Sequence, residues 1–305
     1  MKKSFYSHGK LLLTGEYLVL DGVPALAIPT KKGQWLFIEE IEGDDMLWQS
    51  YDENGNCWFE TRFVFDDDGI KEANTTESDV SKTLIEILTA AKVLNTNFLS
   101  TKKGYKVESR LEFNREWGLG SSSTLINNIA KWAKVDAFTL LENSFGGSGY
   151  DIACAQHDTS ILYKRNPSKP LITEVEFDPI FKDHLFFVYL NQKQDSKDSI
   201  KHYQSLPLKD FDKAESTVKE ITNNMIACTT IESFESLVDA HEQIISKIIK
   251  TPTIKSTLFS DYTRSVKSLG GWGGDFILTI GTLEDMNYFI DKGYTTVISY
   301  KDMVL

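Results

Sequence analysis

The sequence predicts an α+β protein built of two lobes, and three observations lead there. A strand, a glycine-serine loop and a helix follow one another over residues 105–133. Short strands alternate with amphipathic helices through the C-terminal half. Three glycine-rich stretches, far apart in the chain, each stand beside a polar group suited to phosphate chemistry. A chain of 305 residues is long enough for two compact lobes, and the boundary is expected near 155–185, giving lobes of 1–165 and 166–305.

The elements follow in order. Residues 11–13, 17–20 and 25–28 read as short strands around the turn at Asp21 and Gly22, with further strands at 35–41 and 57–64. Acidic loops are expected at 42–45, 52–56 and 66–69. A helix over 79–94 places Val80, Leu84, Ile87, Leu88 and Ala91 on one face. The 105–113 strand alternates through Tyr105, Val107, Leu111 and Phe113. The helix after the loop carries Leu125, Ile126, Ile129, Ala130 and Ala133 at helical spacing. Strands near 160–163, 172–177 and 185–190 precede helices at 212–228 and 233–250, the second ended by Pro252. A helix at 255–268, a strand at 276–280, a helix at 283–291 and a strand at 296–300 complete a ferredoxin-like alternation.

Composition narrows the function. Asp and Glu number 44 against 33 Lys and Arg, a net charge of −11, which argues against nonspecific binding to nucleic acid or anionic membrane. Cys57, Cys154 and Cys228 are too few and too scattered for a disulfide framework or a zinc knuckle, so a reduced, cytoplasmic setting is expected. Gly15 and Glu16 interrupt the N-terminal apolar run, which is not read as a signal peptide, and no stretch is long enough to span a membrane.

Gly118, Leu119, Gly120, Ser121, Ser122 and Ser123 form the loop that opens a helix. Backbone N–H groups and the positive end of the helix dipole favour an anion there. Glycine lets a ligand approach the backbone, while a serine N-cap of the ordinary kind is the alternative. Lys10 and Glu16, six residues apart, share a face if the strand continues between them; they pair with each other, or Lys10 faces a ligand. Asp151 follows the glycines at 146–149 among apolar neighbours, as a turn cap or as a functional acid. If Lys10 reaches Asp151, the two form a phosphoryl-transfer centre. His157 reads as structural, and the five histidines show no metal-ligand spacing.

Taken together, GKLLLTGEYLVLDGVPALA at 9–27, EWGLGSSST at 116–124 and KSLGGWGGDF at 267–276 resemble the three ordered motifs of the GHMP kinase family. The first, in its GEY form, is most similar to phosphomevalonate kinases. The resemblance implies the GHMP kinase fold, an N-terminal ribosomal-protein-S5-like lobe and a C-terminal ferredoxin-like lobe. It implies ATP and Mg²⁺ as cofactors, with residues 118–123 on the ATP phosphates, backed by Gly270, Gly271, Gly273 and Gly274. It gives Asp151 the catalytic role with Lys10 as its neighbour, places Glu16, Tyr17 and Ser196 toward substrate, and sets Ser122 near Mg²⁺, with Glu142 the nearby candidate for a second ligand.

The departures are Asn114, Arg115, Glu116 and Trp117 where the family has proline and glycine, Leu269 for Ser or Thr, and Trp272 for glycine. The function so implied is phosphoryl transfer from ATP to a small molecule, mevalonate or phosphomevalonate, by a monomer or homodimer. A diphosphomevalonate decarboxylase and a non-catalytic nucleotide-binding scaffold are the alternatives.

Overall fold

The structure is a computed structural model. It describes residues 2–66, 69–73, 78–100, 103–166, 168–193, 196–207, 211–272 and 274–305. In chain order the elements are β1 (Lys2–Leu12), β2 (Ala25–Ile41), β3 (Asp45–Tyr51), β4 (Cys57–Asp66), β5 (Gly69–Glu72), α1 (Asp79–Leu94), β6 (Gly104–Leu111), α2 (Ser121–Ala133), α3 (Ala137–Glu142), α4 (Tyr150–Gln156), β7 (Ile161–Lys164), β8 (Leu171–Glu174), β9 (Leu185–Tyr189), α5 (Ser196–Ser205), α6 (Phe211–Ile226), α7 (Ile231–Ile249), α8 (Ile254–Leu258), β10 (Val266–Ser268), β11 (Phe276–Ile280), α9 (Asn287–Asp291), β12 (Val297–Ser299) and α10 (Tyr300–Met303). The α+β class expected from the sequence is the one observed.

The chain divides into two units, but not at one point near 165. The first comprises Met1–Gly9, Lys32–Arg115 and Gly120–Gln156; the second comprises Lys10–Lys31, Glu116–Leu119 and His157–Leu305. The physical reason lies in the strands. Ala25, Leu26 and Ala27 of β2 pair with Tyr163, Leu162 and Ile161 of β7, so the early segment 10–31 belongs with later chain.

In the first unit, strands run in the order β5, β4, β3, β6, β2, with β3 and β6 parallel and the other neighbours antiparallel. One face is covered by helices. Leu36 and Ile38 of β2, Met46 and Trp48 of β3 and Val107 of β6 meet Leu84, Ile87 and Leu88 of α1 and Ile126 and Ile129 of α2 in one apolar core. Each such side chain contributes roughly 1.5–3 kcal/mol when fully buried. Ser78 and Ser81 form a reciprocal capping box that starts α1 where its periodicity predicts. β3 is not foreseen as a strand, yet Met46, Trp48 and Ser50 alternate inward.

The second unit has a four-stranded antiparallel sheet in the order β10, β11, β9, β12. Thr230 caps α7 by accepting from the Ser233 backbone N–H, and Phe234, Val238, Ile245 and Ile249 form its buried face. Two expectations fail here. Residues 17–20 do not extend: Tyr17 adopts φ +64° and the chain makes a 3₁₀ turn over Leu18–Asp21 that ends at Gly22 in the left-handed region. The helix expected at 255–268 stops at Leu258, because Val266, Lys267 and Ser268 pair with Thr279, Leu278 and Ile277 as an edge strand. Among the described residues, no helix is long and apolar enough to cross a membrane.

Candidate active site

The start of α2 lies in the first unit. Gly120 is the N-cap residue, in the left-handed conformation at φ +86°, and offers no side-chain cap. The Thr124 N–H bonds back to the Gly120 carbonyl at 3.0 Å. The N–H groups of the first turn therefore lack the side-chain acceptor that an N-cap serine or aspartate would give. Ser122 is exposed and Ser121 and Ser123 are half-buried. The simple serine N-cap is not what the chain uses.

What fixes this helix end is a polar network absent from the sequence reading. Asn127 and Asn128 are fully buried. Ser7 Oγ donates to Asn128 Oδ1 at 2.8 Å, and Asn127 Nδ2 donates to Ser7 Oγ at 2.8 Å and to the Ala155 carbonyl at 3.2 Å. Asn128 Nδ2 donates to the Gln34 carbonyl at 2.9 Å. Helix α2 is thereby pinned in register to β1, β2 and α4. Two adjacent asparagines inside an otherwise apolar helical pattern are the only sequence signal for it.

Asp151 stands in the first turn of α4, half-buried, after Gly149 at φ +86°. Glu142 closes α3 and is exposed. Among the described residues, no three His, Cys, Asp or Glu side chains gather as a metal-binding group.

In the second unit lie Lys10 and residues 116–119, which precede Gly120 in the chain. Lys10 is 9% exposed. Its Nζ donates to the Gly118 carbonyl at 3.1 Å, and its backbone N–H donates to the Leu119 carbonyl at 3.0 Å. Lys10 is thus brought to the glycine loop, as the reading of a ligand-facing lysine requires. Gly118 is at φ +65°, and a Cβ there would lie 2.4 Å from Cγ of Asp275. A Cβ on Gly270, at φ +64°, would lie 2.6 Å from Oδ2 of the same residue. Asp275 is 6% exposed, adopts φ +56°, and its N–H donates to the Gln192 carbonyl at 2.6 Å. A single buried carboxylate therefore sits against both glycine stretches of this unit and is tied to the 191–193 segment. Sequence reasoning passed over it, since nothing local distinguishes an Asp after glycines from a turn residue.

Tyr17 donates its hydroxyl to the Gly271 carbonyl at 2.9 Å, and Ser199 Oγ donates to the same oxygen at 3.3 Å. Glu16, expected on the substrate side, is instead enclosed at 1% exposure. It does not pair with Lys10, because β1 ends at Leu12; it pairs with Lys267. Ser196 opens α5, with its side chain outside the described residues, as is Gly273. Trp117, Leu269 and Trp272 are packing residues. Trp117 meets Phe276 edge-on at 5.5 Å. Trp272, at φ +51°, packs with Leu18, Val23, Tyr203, Val218 and Ile245, and Leu269 is buried.

No family model matches the sequence, and no curated protein matches it. Solved structures do match. The mevalonate kinase of Methanococcus jannaschii aligns with a TM-score of 0.72 at 14% identity, over 98% of this chain and 97% of that one. The galactokinase of Lactococcus lactis, solved with galactose, gives 0.68 at 13% identity over 100% and 93%. The phosphomevalonate kinase of Streptococcus pneumoniae, solved with phosphomevalonate and AMPPNP, gives 0.66 at 16% identity over 97% and 99%. These neighbours are GHMP kinases, and the likeness extends over nearly the whole of each chain: this protein has the GHMP kinase fold.

Proposed function

We propose that this protein is a GHMP-family kinase that transfers the γ-phosphoryl group of ATP to a small-molecule acceptor. The observation that carries the reading is the start of α2, where a left-handed glycine N-cap leaves first-turn N–H groups without a side-chain acceptor. The residues present fit a triphosphate: small side chains at 118 and 120–123, a lysine at the loop, and a helix dipole of favourable sign. Mg²⁺ would be held mainly through nucleotide phosphates, with the Ser122 hydroxyl as the protein contribution; Glu142 is the other candidate.

ATP supplies the transferable group, and the rest falls to this chain. First-turn N–H groups of α2 hold phosphate oxygens and orient the terminal phosphate. Lys10, anchored on the Gly118 carbonyl, offsets the negative charge that spreads over the transferred group. With a hydroxyl acceptor Asp151 accepts or orients its proton; with a phosphate acceptor, which brings an anionic oxygen and no hydroxyl proton, its part is to orient the attacking group. The acceptor we infer is mevalonate or phosphomevalonate, supported by the GEY form of the first motif and by what the mevalonate and phosphomevalonate kinase neighbours are named for.

Asp151→Asn tests the assignment. The expected outcome is loss of turnover by about 100-fold or more, with ATP affinity within about twofold of wild type by calorimetry. Full activity in that variant would overturn the role given to Asp151.

A further inference from the structure

One group of side chains in the second unit takes no part in this chemistry. Glu16, His241, Glu242, Lys267 and Ser268 are each at most 3% exposed. Lys267 Nζ donates to Oε1 of Glu16, to Oε1 of Glu242 at 3.1 Å and to the Ser268 carbonyl at 2.7 Å, which uses all three of its hydrogens. Ser268 Oγ donates to Oε2 of Glu242 at 2.7 Å, so Glu242 has a donor on each oxygen. Glu16 does not: its Oε2 is buried without a hydrogen-bond donor and faces Nε2 of His241 at 3.3 Å.

The Gly15 backbone N–H donates to that same Nε2 at 3.0 Å. This fixes Nε2 as an acceptor and places the imidazole hydrogen on Nδ1. Two acceptors, Glu16 Oε2 and His241 Nε2, then confront each other in a dry interior, which a proton between them resolves. A proton on Nε2 would set an N–H against the N–H of Gly15. A proton on Oε2 meets no opposing donor and satisfies the orphan oxygen, leaving the Nδ1 hydrogen of His241 as the one group of this cluster buried without a partner. It also balances the charge: one ammonium, one carboxylate, one neutral acid and one neutral imidazole, so no net charge is buried.

We propose that Glu16 is held in its protonated form, donating from Oε2 to Nε2 of His241 while Oε1 accepts from Lys267, and that this proton fixes the turn at residues 15–17 against Ser268 and Gly271. The mechanical link is short, since Tyr17 donates its hydroxyl to the Gly271 carbonyl. The groups facing Glu16 are His241 and Glu242 from α7, Lys267 and Ser268 from β10, and the adjacent Tyr17. Their electrostatics agree. Burial pushes the Glu16 carboxyl up to about 7 despite Lys267, and raises that of Glu242 as well, against Lys267 and the Ser268 hydroxyl. Burial, reinforced by Lys267, drives His241 well below the usual histidine range. Burial opposes the charge on Lys267, while the carboxyl oxygens it donates to hold its pKa above the ordinary value.

A carboxyl whose pKa is higher folded than unfolded stabilises the fold fully below its ordinary value of 4.5 and loses that contribution as pH rises to about 7, with no further change above. Glu16→Gln mimics the protonated acid: its amide donates to His241 and its carbonyl accepts from Lys267. The test is chemical denaturation of wild type, E16Q and E242Q across this pH range. The folding constant of E16Q relative to wild type should rise by up to about tenfold per pH unit between 4.5 and 7, then level off. E242Q should be less stable than E16Q throughout. A ratio that stays flat across the range, or E16Q as unstable as E242Q at about pH 8, would overturn the proposal. If E16Q does not fold, carboxyl ¹³C NMR of labelled wild-type glutamates decides. One resonance should remain protonated at about pH 6; titration of every glutamate near the ordinary value contradicts the assignment.

Discussion

At the scale of single residues, the site depends on glycines whose neighbours leave no space for a side chain. Gly118 carries both constraints, a left-handed backbone and the Asp275 carboxylate where a Cβ would fall. Gly118→Ala should cost about 2 kcal/mol or more of stability, from strain and overpacking together. Asp275→Gly removes the obstructing carboxylate at a position that itself prefers glycine at φ +56°. In the double variant the penalty of Gly118→Ala should shrink by about 1 kcal/mol or more, as read from a denaturation cycle. Additive penalties would mean that Asp275 does not define the shape of the loop. Lys10 and the glycine-serine loop were legible in the sequence because their chemistry is local to a motif. Asp275 was not, and neither was the burial of Glu16. Lys267 lies 251 positions from Glu16, and no local pattern distinguishes a buried lysine in an edge strand from a solvated one.

Among the elements, α2 decides the most, since its first turn carries N–H groups with no side-chain cap and its interior fixes where that end points. Asn128 accepts from Ser7 and donates to the Gln34 carbonyl, at zero exposure. Asn128→Leu leaves both partners without their bonds and should destabilise the protein by about 1–3 kcal/mol in chemical denaturation. A change below about 0.5 kcal/mol would show that the network is not what holds the helix. The helices α1, α2 and α7 were legible because each keeps a 3.6-residue apolar period, with side-chain N-caps opening α1 and α7. Residues 17–20 and 255–268 misled for a shared reason. In both, apolar side chains follow the tertiary core and not a local period: Leu18 and Val19 are buried from a 3₁₀ turn, and Val266 from a three-residue strand.

For the whole molecule, alternation of strands and helices gave the α+β class, while the division into units needed strand pairing that no composition shift marks. Nearly full-length likeness to kinases at 12–16% identity shows how much of this architecture survives when little sequence is shared. The tryptophans are consistent with that. Trp272 stands within the third glycine stretch, yet it is spent on the core beside Leu18 and Ile245. Phosphoryl transfer from ATP is read out as ADP release in a coupled assay. Wild type and Asp151→Asn are each given MgATP with mevalonate, phosphomevalonate, homoserine or a hexose. Wild type should give acceptor-dependent ADP release on mevalonate or phosphomevalonate, lost in Asp151→Asn. Absence of acceptor-dependent release across the panel, together with no thermal shift in millimolar MgATP, would contradict it.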